Sequence, residues 1–169
     1  MPIIRTFIGK VKPGRMQDAV TAMSTLKRLA LEAGVTHFAA YNVVTGPLFP
    51  GVTIHLVSND FAAYGAAREK VLANPESAQF FAEDAPIETV NALLAEPVDT
   101  AGDVPSILGQ TQVRFTLTAY PHRGRHDDAV RRGSRLVDTI HQCGALAASL
   151  RRVIAGTDGS MFTLHSYHA

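Results

Sequence analysis

The amino-acid sequence predicts an α+β fold built from two tandem copies of one βαββαβ unit, the second copy incomplete. Residues 14–20 read GRMQDAV and residues 124–130 read GRHDDAV, five identities in seven positions at an offset of 110 residues. The same offset relates further identical pairs without a gap: Thr6 and Thr116, Gly34 and Gly144, Val43 and Val153, Gly46 and Gly156, Thr53 and Thr163, His55 and His165. We therefore infer an internal duplication.

In the first copy, local patterns predict the order β-α-β-β-α-β. Alternating, β-branched stretches predict strands, and an apolar stripe predicts a helix over residues 15–33 that ends at Gly34. Asp60 is the predicted N-cap of the second helix, and Asn74-Pro75 begins a short further helix. Residues 90–98 fit either a fourth strand or a short helix. The predicted strands are 3–11, 38–44 and 52–58, and the second helix ends at about residue 73. This order is the ferredoxin-like plan, an antiparallel sheet with two helices on one face.

The second copy repeats the early elements of the first and then stops. Its predicted strands are 112–120, 146–155 and 161–167, and its helix is 125–142. We expect a first copy at residues 1–98, a linker at 99–110 and a second, truncated copy at 111–169. Either the chain is a fragment or another chain supplies the missing cover, and a homo-oligomer, a dimer, is the expected remedy for the open sheet.

Composition excludes several classes of protein. Hydrophobic residues make up 46% of the 169, enough to bury a sizeable core. A net charge of +1 gives no reason to expect a nucleic-acid partner. No long apolar run or signal-peptide pattern is present, so we expect no membrane partner. A single cysteine, Cys143, rules out an intramolecular disulfide and fits a cytoplasmic location.

Several segments resemble the dimeric α/β-barrel superfamily, most closely its NIPSNAP-like and antibiotic-biosynthesis-monooxygenase-like groups. They are Val11-Lys12-Pro13-Gly14, Gly46-Pro47, His55-Leu56-Val57-Ser58, Arg68 and Asn74-Pro75-Glu76. The resemblance implies two ferredoxin-like sheets that form or contribute to a barrel with an internal cavity. Members include cofactor-free monooxygenases, polyketide cyclases and haem proteins. The haem-degrading subgroup uses an Asn, a Trp and a His, and this chain has no tryptophan. We therefore expect no cofactor.

The period of two along strands predicts which side chains face this cavity. On the third strand of each copy, Val52, Ile54 and Leu56, like Phe162 and Leu164, should pack under helices. His55 and His165 then face away from the helices, and an imidazole can exchange a proton near neutral pH. The first strands place Ile3, Phe7, Val113, Phe115 and Leu117 under helices. The predicted substrate-binding residues on the histidine face are Thr6, Thr53, Arg114, Thr116, Thr163 and Tyr167.

These residues leave several interpretations open. The histidines act as catalytic acid or base, or they only form hydrogen bonds inside a barrel or at a subunit interface, or they ligate haem or another metal. No His-x-His or Glu-x-x-His spacing supports a metal site, so none is assigned. The repeated Gly-Arg-x-x-Asp-Ala-Val segment fits a helix start better than a phosphate site. If the histidines are catalytic, the resemblance implies a cofactor-independent monooxygenase or cyclase that acts on a small aromatic or polyketide-like substrate in the barrel cavity. The alternative is a non-catalytic ligand-binding or oligomerisation module.

Overall fold

The computed structural model describes residues 1–44, 49–107, 113–156 and 161–169 of the chain. The elements are β1 Ile3–Val11, α1 Met16–Ala33, β2 His37–Val43, β3 Gly51–Ser58, α2 Phe61–Ala73, a 3-10 helix Pro75–Phe80, β4 Ile87–Ala101, α3 Val104–Ile107, β5 Val113–Ala119, α4 His126–Gln142, β6 Ala147–Ala155 and β7 Met161–His168. They form two compact units, Met1–Ala92 and Leu93–Ala169. The predicted α+β, ferredoxin-like class is confirmed. In the described part of the chain, no helix has the length and hydropathy needed to cross a membrane.

The first unit is a complete βαββαβ copy. Its strands follow the order β2-β3-β1-β4, with β1 and β2 both antiparallel to β3. Asp60 caps α2 as predicted, since its Oδ1 accepts a hydrogen bond from the amide of Ala63 at 2.8 Å. One face of the sheet packs on the helices through a shared apolar core: Val11, Ala19, Met23, Ala30, Ala33, Val35, Val52, Ile54, Leu56 and Ala67. This face is the one that the period of two predicts for Val52, Ile54 and Leu56.

The strands of the second unit follow the order β4-β6-β7-β5, and the C-terminal part of β4, Leu94–Ala101, pairs with β6. Helix α4 covers one face, and its Val137 packs against Ala148, Leu150, Phe162 and Leu164. Gly133 permits the close approach, because a Cβ at this position would lie 2.7 Å from Leu150. The predicted positions of Phe162 and Leu164 under the helix therefore agree with the structure.

The duplicated segment begins a helix in both units. Gly14 and Gly124 have positive φ angles of 74° and 77°, which glycine adopts at little steric cost. The arginine that follows each glycine then forms an ion pair with the aspartate three residues on, Arg15 with Asp18 and Arg125 with Asp128. Helices α1 and α4 begin at Met16 and His126, directly after these arginines, so the segment is a helix start, as predicted. The ion pair with the aspartate also leaves each arginine without an uncompensated charge for a phosphate.

Strand β5 departs from the prediction in burial but not in orientation. Leu117 lies opposite Leu164 in the register of β5 and β7, on the helix side of the sheet. Yet Leu117 is 57% exposed and Phe115 is 64% exposed, and Val113 is exposed as well. The prediction that these residues pack under helices is therefore wrong. In the first unit both α1 and α2 cover the helix side of the sheet. In the described part of the second unit α4 is the helix on this side, and it packs on β6 and β7.

The segment predicted as a linker, residues 99–110, contains regular secondary structure. Strand β4 continues to Ala101, and its residues Leu94–Ala101 pair with β6. Helix α3 follows, and its Val104 packs against Ala147 and Tyr167 on the face of the second sheet opposite α4. Residues 108–110 lie outside the described part of the chain. The ambiguous segment 90–98 is a strand, since its backbone finds β6 as a partner.

Candidate functional site

Each unit holds one threonine–histidine pair on the sheet face away from its helices. In the first unit the hydroxyl oxygen of Thr6 lies 2.9 Å from Nδ1 of His55. In the second, the hydroxyl oxygen of Thr116 lies 3.1 Å from Nδ1 of His165. Both imidazoles are buried, with 2% and 4% of the residue exposed. The strand period thus predicts the face correctly, and the acid–base role of the histidines stays a prediction.

The second unit builds a larger polar cluster around its pair. Nε2 of His165 lies 3.0 Å from the hydroxyl oxygen of Thr163, so both ring nitrogens contact threonine hydroxyls. A neutral imidazole donates through one nitrogen and accepts through the other, and a hydroxyl can do either. The ring is therefore held in one orientation from two sides. Thr116 itself is exposed, whereas Thr163 is buried.

Two further predicted residues belong to the same face. Tyr167 is fully buried and lies opposite Arg114 in the register of β5 and β7. Arg114 is half-buried. In the first unit, buried Thr53 lies two residues before His55 and opposite Tyr41 on β2. Tyr41 in turn meets the ring of His55 edge-on at 6.1 Å between centroids. Within each unit, the structure thus brings the predicted side chains onto one face.

Arg151 is the residue on this face that the sequence prediction missed. It lies on β6 opposite Thr163, is 3% exposed, and its Nη2 donates a hydrogen bond to the Tyr167 hydroxyl. The offset of 110 residues could have identified Arg151, because it corresponds to Tyr41, which lies beside His55 in the first copy. Alternation along β6 places Arg151 and Ser149 on one side. A basic residue at such a position is a recognisable sequence signal.

The first unit also contains a cavity of about 250 Å³ on the opposite, helix-facing side of its sheet. Apolar side chains of β1, β3, β4, α1, α2 and the 3-10 helix line it, among them Phe7, Met23, Ile54, Val71 and Phe80. The two basic side chains in its wall are Arg5 and Arg68. The predicted histidines and threonines do not belong to this wall. The first sheet therefore separates a buried polar face from an apolar cavity.

Arg5 is the polar side chain whose surroundings are most unusual in this wall. Its guanidinium lies over the ring of Phe7, 4.9 Å from the centroid. Its Nε is buried and has no hydrogen-bond partner among the described residues. Across the same part of the chain, no group of three His, Cys, Asp or Glu side chains is arranged to hold a metal ion. The cavity thus combines apolar walls with the half-buried guanidinium of Arg5, whose Nε no described residue engages.

Comparison with known proteins shows the fold. No protein-family model and no curated protein matches this sequence. Among solved structures, a "Putative monooxygenase" from Fusobacterium nucleatum matches with a TM-score of 0.61 and 16% identity, over 99% of this chain and 75% of that one. Another "putative monooxygenase", from Lactobacillus acidophilus, matches with a TM-score of 0.59 and 10% identity, over 98% and 76%.

A smaller structure matches one part of the chain. This is a NIPSNAP domain protein from Burkholderia xenovorans, with a TM-score of 0.43 and 13% identity, over 54% of this chain and 88% of that one. The two longer matches confirm the predicted ferredoxin-like fold.

Proposed function

We propose that the chain binds a small aromatic or polyketide-like compound in the helix-side cavity of its first unit. We further propose that it acts on that compound as a cofactor-independent monooxygenase or cyclase. The observation that carries the proposal is the apolar cavity with the Arg5 guanidinium in its wall. An apolar cavity of about 150 Å³ already accommodates benzene. A volume of about 250 Å³ therefore suits a compound of one or two rings.

The position of Arg5 supports a substrate that carries a phenolate or an enolate. Charge interactions are stronger in an apolar cavity than in water, so a guanidinium there stabilises negative charge that develops on a bound ring. Formation of such an anion is the step that an aldol cyclisation or the oxidation of a quinol requires. Both longer structural matches carry the name "putative monooxygenase", and oxidation is therefore the first reaction to assay.

The predicted role of His55 and His165 would place the substrate on the other face of the sheet, and one experiment separates the two locations. Binding of a panel of naphthols, quinols and polyketide phenols is measured by calorimetry, and turnover by oxygen uptake and product analysis. Ala67→Leu fills the cavity, because Ala67 is buried in its wall. Arg5→Met removes the charge. Ala66→Leu, on the exposed side of α2, is the matched control.

We expect Ala67→Leu and Arg5→Met to abolish binding and turnover, and Ala66→Leu to preserve both. His55→Gln and His165→Gln should leave binding unchanged. The opposite pattern, in which the histidine variants lose binding and Ala67→Leu keeps it, would move the substrate to the polar face. That result overturns the cavity proposal and supports the acid–base role instead.

A second candidate function, self-association, rests on strand β5. This strand lies at the end of the sheet order, and its exposed Phe115 and Leu117 form an apolar strip. An unpaired edge next to exposed apolar side chains is a template for pairing with another strand. We propose that the occupant is β5 of a second copy. Sedimentation should show a dimer that Phe115→Lys converts to monomer, whereas Val20→Lys on α1 leaves it intact.

A further inference from the structure

The two copies differ in the side chains that surround their shared threonine–histidine pair. At the offset of 110 residues, Thr6, Thr53 and His55 are kept as Thr116, Thr163 and His165. Four neighbours on the same face differ between the copies, and in the second copy all four are polar or charged: Arg114 stands where the first copy has Ile4, Ser149 where it has Ala39, Arg151 where it has Tyr41 and Tyr167 where it has Val57. The second unit has thus gained hydrogen-bonding capacity around a common framework.

Arg151 is one of these residues, and its guanidinium has no counter-ion among the residues that the structure describes. The residue is 3% exposed, and among the described residues it takes part in no ion pair. Its Nη2 donates to the hydroxyl of Tyr167. Its Nε and Nη1 are buried, and neither has a hydrogen-bond partner in the described part of the chain. A buried guanidinium is strongly unfavourable unless an anion and hydrogen bonds compensate it.

We propose that Arg151 and Tyr167 form a binding site for a small oxyanion, a carboxylate or phosphate group. The planar guanidinium presents N–H donors in the geometry that both groups match. The Tyr167 hydroxyl accepts from Arg151, so its own hydrogen is left to donate to the same anion. Thr163 lies opposite Arg151 in the β6–β7 register. This site is in the second unit, apart from the cavity of the proposed function.

The test measures the melting temperature of the protein in a zwitterionic buffer. Sodium phosphate and sodium acetate are titrated separately, and sodium chloride at equal ionic strength gives the baseline. Because a ligand that binds only the folded state raises its stability, we expect a saturable rise above the chloride baseline. The anion that saturates at lower concentration identifies the group as phosphate or carboxylate.

Variants then assign the response to the site. Arg151→Met should abolish the rise, and Tyr167→Phe should weaken the apparent affinity by about tenfold, the loss of one hydrogen bond to a charged group. Arg132→Met removes the same charge from the exposed face of α4 and should behave as the wild type. The cavity variant Ala67→Leu should also keep the response, so failure of the proposed function leaves this result unaffected.

Two results would overturn the inference. One is a wild-type melting temperature that phosphate and acetate raise no more than chloride does. The other is an Arg151→Met protein that responds to the anions as the wild type does. If Arg151→Met does not fold, Tyr167→Phe replaces it, and an unchanged affinity in that variant counts against the site.

Discussion

The hydroxyl oxygen of Thr6 lies 2.9 Å from Nδ1 of His55, directly across the register of two antiparallel strands. Thr116 and His165 repeat the relationship at 3.1 Å in the second unit. The duplication has therefore preserved a contact in three dimensions as well as a sequence pattern. The two pairs differ in solvent exposure, because Thr6 is buried and Thr116 is exposed.

That difference predicts unequal contributions to stability. Thr6→Val removes the hydrogen bond from a buried imidazole and should lower the free energy of unfolding by about 1–3 kcal/mol. Thr116→Val should cost less, since water can replace the hydroxyl at an exposed position. Urea denaturation measures both, with Thr21→Val on the exposed face of α1 as control. An equal or larger loss for Thr116→Val would contradict this account.

Two glycines predict opposite effects of the same substitution. Gly65 lies inside α2, and a Cβ there meets no atom within 4 Å, so Gly65→Ala should stabilise the protein by about 0.5–1 kcal/mol. Gly34 ends α1 with a φ of 109°, which an L side chain rarely adopts. Gly34→Ala should therefore destabilise by about 1 kcal/mol or more. Thermal melts of both variants give the signs, and a shared sign would refute the argument.

The N-cap of α2 gives a third prediction. Asp60→Ala removes the hydrogen bond to the amide of Ala63 and should reduce the free energy of unfolding by about 1 kcal/mol. Asp60→Asn keeps an acceptor oxygen and should retain most of the stability. Because the first turn of α2 loses its cap, the alanine variant should also show faster amide exchange in this turn. Exchange rates equal to those of the wild type would argue against the cap.

The fourth prediction concerns Glu96 and Arg152, which lie opposite each other on β4 and β6. Nε of Arg152 donates to Oε1 of Glu96 at 2.7 Å, and Glu96 is buried. Arg152→Met leaves a buried carboxylate without this donor and should cost about 1–3 kcal/mol. The double variant with Glu96→Gln should recover part of that loss. A double-mutant cycle in urea measures the coupling, and strictly additive effects would show that the pair contributes nothing.

Much of the fold could be predicted because its signals are local. The alternation in β1 and the apolar stripe of α1 give element bounds within about two residues of those observed. Asp60 and Gly34 mark the start of α2 and the end of α1, since capping depends only on the nearest backbone. The threonine–histidine face followed from the strand period alone.

The remaining features depend on contacts distant in sequence. The exposure of Phe115 and Leu117 depends on which helices cover the sheet. Alternation along a strand predicts which side chains share a face, but not whether a helix covers that face. The burial of Arg151 depends on how β4, β6 and β7 assemble. The cavity beside Arg5 arises where side chains of six elements fail to fill the space between them. No local pattern carries that information.

Strand β4 has a consequence for how the duplicated protein can be taken apart. It begins at Ile87 in the first unit, and its residues Leu94–Ala101 supply the strand beside β6 in the second. A cut within the predicted linker, after β4, would therefore leave β6 with an open edge, so the boundary between the sequence copies and the boundary between the compact units do not coincide. The second copy alone, from residue 113 onward, would need to recruit that strand from a neighbour before it could complete its sheet, whereas the first copy would keep it.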